Sequence, residues 1–196
     1  MARAGMTDII TKLRTQASAF STGDLINGVQ YWTDDQLEDV LDVFSQDLND
    51  VQLVALSQVV NGVTTYKVYY LPETTPRDIE GSATAGAFTV VDSTGITVTG
   101  YTFDLARRRF DFTDNQNGNV RMLRARAFDV NAATAEVWLR KAGLRADLID
   151  WKAGTYNLKE DQEYQHCLQM YAKWAGKATF KRIQLNRVDY NANSGL

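Results

Sequence analysis

Cysteine and histidine occur once each in this chain, as Cys167 and His166, and the two stand side by side. A single thiol excludes an internal disulfide and a cysteine-rich metal cluster, so stability has to come from packing. Adjacent helix residues point about 100° apart, so this pair cannot close a metal site without further soft ligands, and none exist. No apolar run reaches the roughly 18 to 20 residues that a bilayer-spanning helix needs. The opening MARAGMTDIITKLR has no apolar signal core. The expectation is a soluble protein assembled inside a cell, with no membrane contact and no cofactor.

A further absence is local. Between Arg14 and Lys67 the chain has eight Asp or Glu residues and no Lys or Arg. The stretch YWTDDQLEDVLDVFSQDLND alone carries seven acids. From Lys173 to Arg187 the balance reverses, with five basic residues and no acid. The net charge of -3 conceals this split. What is present is ordinary: 196 residues, 44% of them apolar, suffice for one globular domain with room for a smaller lobe.

The periodicities predict an α+β fold, a small bundle of three to four helices (1–50 and 128–196) with a large antiparallel β-rich insertion (51–127). Thr7 to about Ser18 reads as a short helix with Ile9, Ile10, Leu13 and Ala17 on one side. AFSTGDLINGVQ reads as a connector broken at Gly23 and Gly28. In the acidic stretch Thr33 can cap a helix, with Gln36 as capping-box partner, and Leu37, Val40, Leu41, Phe44 and Leu48 form one apolar stripe. Asp34, Asp35 and Glu38 then sit where the helix dipole favours them, and Asp47 and Asp50 where it does not.

From Val51 the period is strand-like. Asn61-Gly62 between VQLVALSQVV and VTTYKVYYL is the strongest short hairpin signal. A second hairpin is expected at AFTVVDSTGITVTGYTF, turning at Ser93 to Gly95, and a third at RRFDFTDNQNGNVRMLRARAF, turning within Asp114 to Gly118. Five or six strands result. Helical periodicity returns at FDVNAATAEVWLRKAGLRADLIDW, capped by Asp129 or Asn131, with Val130, Ala133, Val137 and Trp138 inside and a bend at Gly143. Asn157 with Glu160 can cap a last helix whose stripe is Tyr164, Cys167, Leu168, Tyr171, Trp174, Ala175 and Ala178.

Catalytic chemistry finds little material. His166 has no G-x-S-x-G companion and reads as a partly exposed helix residue. GSATAGAF has the glycines of a phosphate loop but Ala-Phe where Lys-Ser/Thr is needed. The acids Asp34, Asp35, Glu38, Asp39 and Asp42 spread around a solvated helix face, whereas a catalytic pair needs one carboxyl desolvated. The expectation is no enzyme, with no catalytic, metal or cofactor-binding residues. Arg107, Arg108, Arg109, Arg121, Arg124 and Arg126 could grip phosphates, but Asp104, Asp111 and Asp114 dilute them, and a salt-bridged strand face or a contact to an acidic protein is the better reading. Tyr66, Tyr69, Tyr70, Tyr101 and Phe103 could present aromatics to a carbohydrate or host surface, although alternating Tyr and Val is more often core.

The charge split fits a head-to-tail contact, in which each copy offers one face to one neighbour and the opposite face to the other. It also fits pairing within one chain. The acidic set is Asp35, Glu38, Asp39 and Asp42, and the basic set Lys177, Lys181 and Arg182.

Four segments, Trp32 to Asp42, Asp129 to Trp138, Ile149 to Lys152 and Asn157 to Asp189, cover 58 of the 196 residues. They hold YWTDDQLEDVLD, the helix start DVNAATAEVW, an aromatic-and-acid link, and a last helix ending in basic residues and an Arg-x-Asp segment. Together they resemble the head-to-tail connector (adaptor, or neck) proteins of tailed bacteriophages. The resemblance implies a helical-bundle subunit in a twelve-membered ring beneath the portal, in the virion neck between capsid and tail, assembled in the host cytoplasm. Such a ring extends the DNA channel, touches passing double-stranded DNA weakly and non-specifically, and is a platform for a stopper or tail protein. It implies portal contact by the C-terminal segment, here Ile183, Gln184, Leu185, Arg187 and Tyr190. Another neck or tail-completion protein is the nearest alternative.

Overall fold

The computed structural model describes residues 3, 5–19, 25–26, 29–30, 32–81, 88–104, 106–151 and 158–179. Among them the fold is α+β: helix α1 (Thr7–Gln16), strands β1 (Leu25–Ile26) and β2 (Val29–Gln30), helix α2 (Asp34–Val43), then nine strands and two further helices. The expected connector at 19–30 therefore contains β1 and β2, paired antiparallel. α1 buries Ile9, Ile10 and Leu13 as anticipated. It stops without glycine or proline: Ser18 takes φ 49°, Ala19 N–H reaches back to Arg14 O, and Ser18 N–H to Thr15 O. That is a Schellman stop built on a serine.

The capping box of α2 is formed as read, with Thr33 Oγ1 accepting from Gln36 N–H and Gln36 Oε1 accepting from Thr33 N–H at 2.8 Å. Thr33→Ala should cost about 1 kcal/mol. The measurement is a denaturant midpoint, which should fall with the m-value unchanged. The helix is shorter than its stripe implied. It ends at Val43, Phe44 leaves helical geometry (φ -111°, ψ 34°), and Ser45–Gln52 is strand β3. Phe44 and Leu48 are four apart, a spacing that puts both on one face of a helix or of a strand, so this end of the apolar pattern could not separate the two; the ladder with a partner strand decides it. Asp47 and Asp50 consequently lie on a strand and not in the last turns of a helix.

The remaining strands are β4 (Val54–Val60), β5 (Val63–Tyr70), β6 (Asp78–Ile79), β7 (Thr89–Asp92), β8 (Thr97–Val98), β9 (Tyr101–Asp104), β10 (Arg109–Phe112) and β11 (Arg121–Phe128). They form two antiparallel sheets, β4-β5-β10-β9 and β3-β11-β7-β8, with β6 pairing β11 beside β7. VQLVALSQVV is thus two strands in two sheets, with a corner at buried Leu53, whose N–H bonds Arg121 O. The Asn61-Gly62 hairpin is present, with φ 51° and 76° and Val60 opposite Val63. So is the second hairpin, β7-β8, with Gly95 at φ 83°.

The third expected hairpin is not formed. β10 pairs β5 and β9, whereas β11 pairs β3, β6 and β7, so the connection crosses between sheets. It docks on β5, and its turn at Gln116 to Asn119 does not join two paired strands. Asn115 Oδ1 accepts from Tyr66 N–H (2.8 Å), Gln116 N–H bonds Tyr66 O (3.0 Å), and a Cβ on Gly118 would lie 3.4 Å from the Tyr66 ring. Tyr69 Oη donates to Asn119 O (2.9 Å).

One core fills the space between the sheets: Tyr69, Phe88, Phe110, Phe112, Leu123 and their neighbours, with Tyr101 and Phe103 packed against it. The aromatic set read as a possible ligand face therefore points largely inward. Tyr69 is fully buried, and burial raises the hydroxyl pKa of both Tyr69 and Tyr101.

A second core joins α1, α2 and the start of helix α3 (Val130–Trp151), through Leu13, Trp32, Leu37, Leu41, Phe128 and Ala133. α3 runs unbroken through Gly143, where a bend was expected. A single helical glycine costs only about 1 kcal/mol, and Trp138 and Ala142 on the same helix are held against α4 (Leu158–Ala175). On α4 the inward residues are Tyr164, Cys167, Leu168, Met170 and Trp174. Tyr171, Ala175 and Ala178, expected in that stripe, are exposed. The cap Asn157 lies outside the described residues.

Candidate functional site

Asp34, Glu38, Asp42, Asp47 and Asp50 of the acidic stretch find positive partners inside the chain, on elements other than the last helix. Arg3 meets α2 from the N-terminal side: its Nε lies 2.7 Å from Glu38 Oε1, its NH2 group 2.6 Å from Asp42 Oδ1, and its backbone N–H donates to Glu38 Oε2 at 2.9 Å. Glu80 is a further partner of Arg3 at 3.5 Å. Partial burial works against the charged guanidinium. The Asp42 bond and the charges of Glu80, Asp42 and Glu38 outweigh it, so the Arg3 pKa is raised. Glu38 is buried, and Arg3 is what makes a buried carboxylate there tolerable.

Arg14 does a second joining task. It donates to Ala19 O (2.5 Å) and Trp32 O (3.0 Å) and pairs with Asp34 (2.5 Å), linking the end of α1 to the start of α2. The α1 terminus is also held from α3, where Lys141 Nζ donates to Ala17 O and Ser18 O and Trp138 Nε1 to Gln16 O. A cation on the last carbonyls is favourable for the helix dipole.

Asp47 and Asp50 are answered by β11: Arg126 Nε sits 3.1 Å from Asp47 and Arg124 Nε 2.6 Å from Asp50. The register shifts at this point, with Leu123 opposite Val51 but Ala125 opposite Leu48, so β3 carries one extra residue. Asp50 takes φ 55° in that bulge. The bond from Asp50 and then its charge raise the Arg124 pKa. Both pairs are solvent-exposed, so they set pairing and partner choice more than stability.

The other arginines of the cluster are engaged too. Arg107 pairs with Asp104, Arg109 with Asp111, and Arg121 with the Gln116 amide. Arg108, at φ 56°, donates to Pro72 O and Thr75 O, and burial, then the charge of Arg77, lowers its pKa. The salt-bridged strand face is the reading that this geometry favours.

Asp129 is the junction of the helical part. It is 2% exposed. Its Oδ1 accepts from Ala132 N–H (3.0 Å), resolving the cap of α3 in its favour over Asn131, and its Oδ2 accepts from Thr179 N–H (2.6 Å) and Thr179 Oγ1 (3.1 Å). Its own N–H bonds Phe44 O. Asn131 instead donates to Lys177 O. One residue thereby ties three places together: its carboxylate joins the start of α3 to Thr179 beyond α4, and its backbone N–H holds the end of α2. Nothing in the local pattern pointed to Thr179 as its partner, since that contact spans fifty residues.

Beside it opens a cleft of ≈ 690 Å³ between helices and sheets, lined among others by Lys12, Glu73, Arg77, Asp78, Asp129 and Thr179. The Lys12–Asp78 pair (2.6 Å) bridges its rim from α1 to β6. Among the described residues no three His, Cys, Asp or Glu groups converge as a metal set would. His166 is an exposed residue of α4, set edge-on to Trp138 at 5.7 Å. No described helix is long and apolar enough to cross a membrane.

Of the residues expected at a subunit boundary, Asp35 and Asp39 are exposed on α2, Glu38 and Asp42 are engaged by Arg3, and Lys177 lies 4.4 Å over the Trp174 ring. Lys181 and Arg182, with the expected portal contacts Ile183, Gln184, Leu185, Arg187 and Tyr190, lie outside the described residues. No family model, no curated protein and no solved structure matches the chain.

Proposed function

We propose that this chain is a head-to-tail adaptor of a tailed bacteriophage: a structural virion protein that forms a ring beneath the portal, extends the DNA channel and is the platform for stopper or tail attachment. The observation that carries the reading is where the quoted segments fall. YWTDD contains the buried Trp32 and the capping box that opens α2, and the Asp-x-Asn-Ala-Ala segment opens α3 through Asp129. Both starts belong to a helical unit whose chain is interrupted between α2 and α3 by the β sheets.

The mechanism needs no reaction. Binding energy goes into ordered assembly, and a channel wall should hold DNA weakly so that ejection is not retarded. The in-chain pairing of the strand arginines suits that, because few guanidinium groups remain to grip phosphates.

Cross-linking mass spectrometry on purified particles tests the reading. Links from the residues after Thr179 to a portal protein are expected, and so are links between α2 of one copy and α4 of the next. Deleting Gln184 to Leu196 should leave the monomer folded and abolish co-purification with portal. Absence of the chain from particles, or a truncated chain that still co-purifies, overturns it.

A further inference from the structure

We propose that β4 is the pairing edge of a two-fold dimer of this chain, strand β4 of one copy adding antiparallel to β4 of a second copy. The contact does not rest on the adaptor reading: a two-fold pair closes on itself, whereas a ring needs two different faces.

Sheet edges are normally blunted by shortness, charge, proline or a bulge, because bare edge groups recruit another strand. Among the described residues, the other outer strands of the two large sheets follow that rule. β8 has two residues, β9 has four and ends in Asp104, and β3 carries Asp47, Asp50 and the bulge. β4 has seven residues, no charge and no proline, and the one irregularity in its ladder, between Leu56 and Gln58, places the extra residue on β5, so the alternation along β4 itself is kept. All seven of its residues are exposed, with Val54 at 56%, Val59 at 73% and Val60 at 52%. No charged residue occurs from Val51 to Tyr66.

The occupant follows from symmetry and charge. The two-residue Asn61-Gly62 turn makes Val60 and Val63 a doubly hydrogen-bonded pair, so the even residues of β4 bond β5 and the N–H and C=O groups of Ala55, Ser57 and Val59 face outward. Thr65 Oγ1 reaching Gln58 O agrees with that parity. A two-fold axis normal to the sheet keeps each side chain on its own face, so opposed positions must have an even sum. Ser57 opposite Ser57 is the register of full overlap. It sets Val54 against Val60, Ala55 against Val59 and Leu56 against Gln58, and with no charges present nothing repels. The seven pairs span about 24 Å and join two four-stranded sheets into one of eight. The contact is small for a permanent interface, so association should depend on concentration.

The test is sedimentation of the full chain over a concentration series, with cysteine linking to read the register. Wild type should move from monomer to dimer, and Ser57→Cys should form a disulfide-linked dimer under mild oxidant. Opposed residues at outward-bonding positions have Cα atoms about 5.5 Å apart, within disulfide reach. Val60→Cys should not link, because each copy's residue 60 faces Val54, about 20 Å along the strand from its own symmetry mate. Buried Cys167 makes wild type the blank. Ser57→Lys, at an exposed site that leaves the fold intact, sets two ammonium groups opposite one another and should hold the chain monomeric. A wild type that stays monomeric, a Ser57→Lys variant that still dimerises, or Val60→Cys linking as readily as Ser57→Cys overturns the proposal; the first leaves β4 to a different protein.

Discussion

Phe110→Ala should lower stability by about 4 kcal/mol, the largest effect expected from a single truncation in this protein. Phe110 is fully buried on β10, between the two sheets. Its ring stacks on Phe103 (centroids 4.3 Å apart) and meets Tyr101 at 5.8 Å and Phe88 at 6.0 Å edge to face. Removing it deletes the transfer energy of the ring, leaves a cavity that three other rings cannot collapse into, and forfeits their aromatic contacts. For a chain of this length a loss of that size lowers Tm by roughly 8–16 °C. Calorimetry of Phe110→Ala beside Phe110→Leu checks the cause. Leucine keeps most of the volume and should cost less than half as much, and equal losses would show that packing at this site is not what matters.

Asp129→Ala ranks next, at about 3 kcal/mol. The side chain accepts from Ala132 N–H, Thr179 N–H and Thr179 Oγ1 while 2% exposed. Bonds to an ionised acceptor contribute more than neutral ones, and the alanine variant leaves donors unmet in a buried setting. Asp129→Asn keeps one acceptor oxygen and should lose about half as much. Hydrogen exchange supplies the specific readout, since amides at both the start of α3 and the end of α4 should lose protection together. If only the α3 amides respond, the bond to Thr179 contributes nothing in solution.

How far these sites were legible varies with the range of the interaction. The capping box at Thr33 and Gln36, the Asn61-Gly62 turn and the inward face of α1 are settled by neighbours within four residues, and those are visible in a linear pattern. The ambiguity at Ser45 to Gln52 was intrinsic, because Phe44 and Leu48, four apart, share a face of a helix and of a strand alike until β11 is placed beside them. The turn signal at Asp114 to Gly118 was real, since Asn117 and Gly118 do take positive φ, yet a turn does not say which strands it joins.

Charge is the clearest case of both. The sequence by itself determined that seven acids between Asp34 and Asp50 would have to be answered from elsewhere, because composition is local and countable. Only the tertiary structure decided by what: Asp34, Glu38 and Asp42 meet Arg3 and Arg14 from the first helix region, and Asp47 and Asp50 meet Arg126 and Arg124 from a strand more than seventy residues on. An ion pair depends on distance in space and is blind to separation along the chain, so it becomes readable only when the fold has brought its partners together.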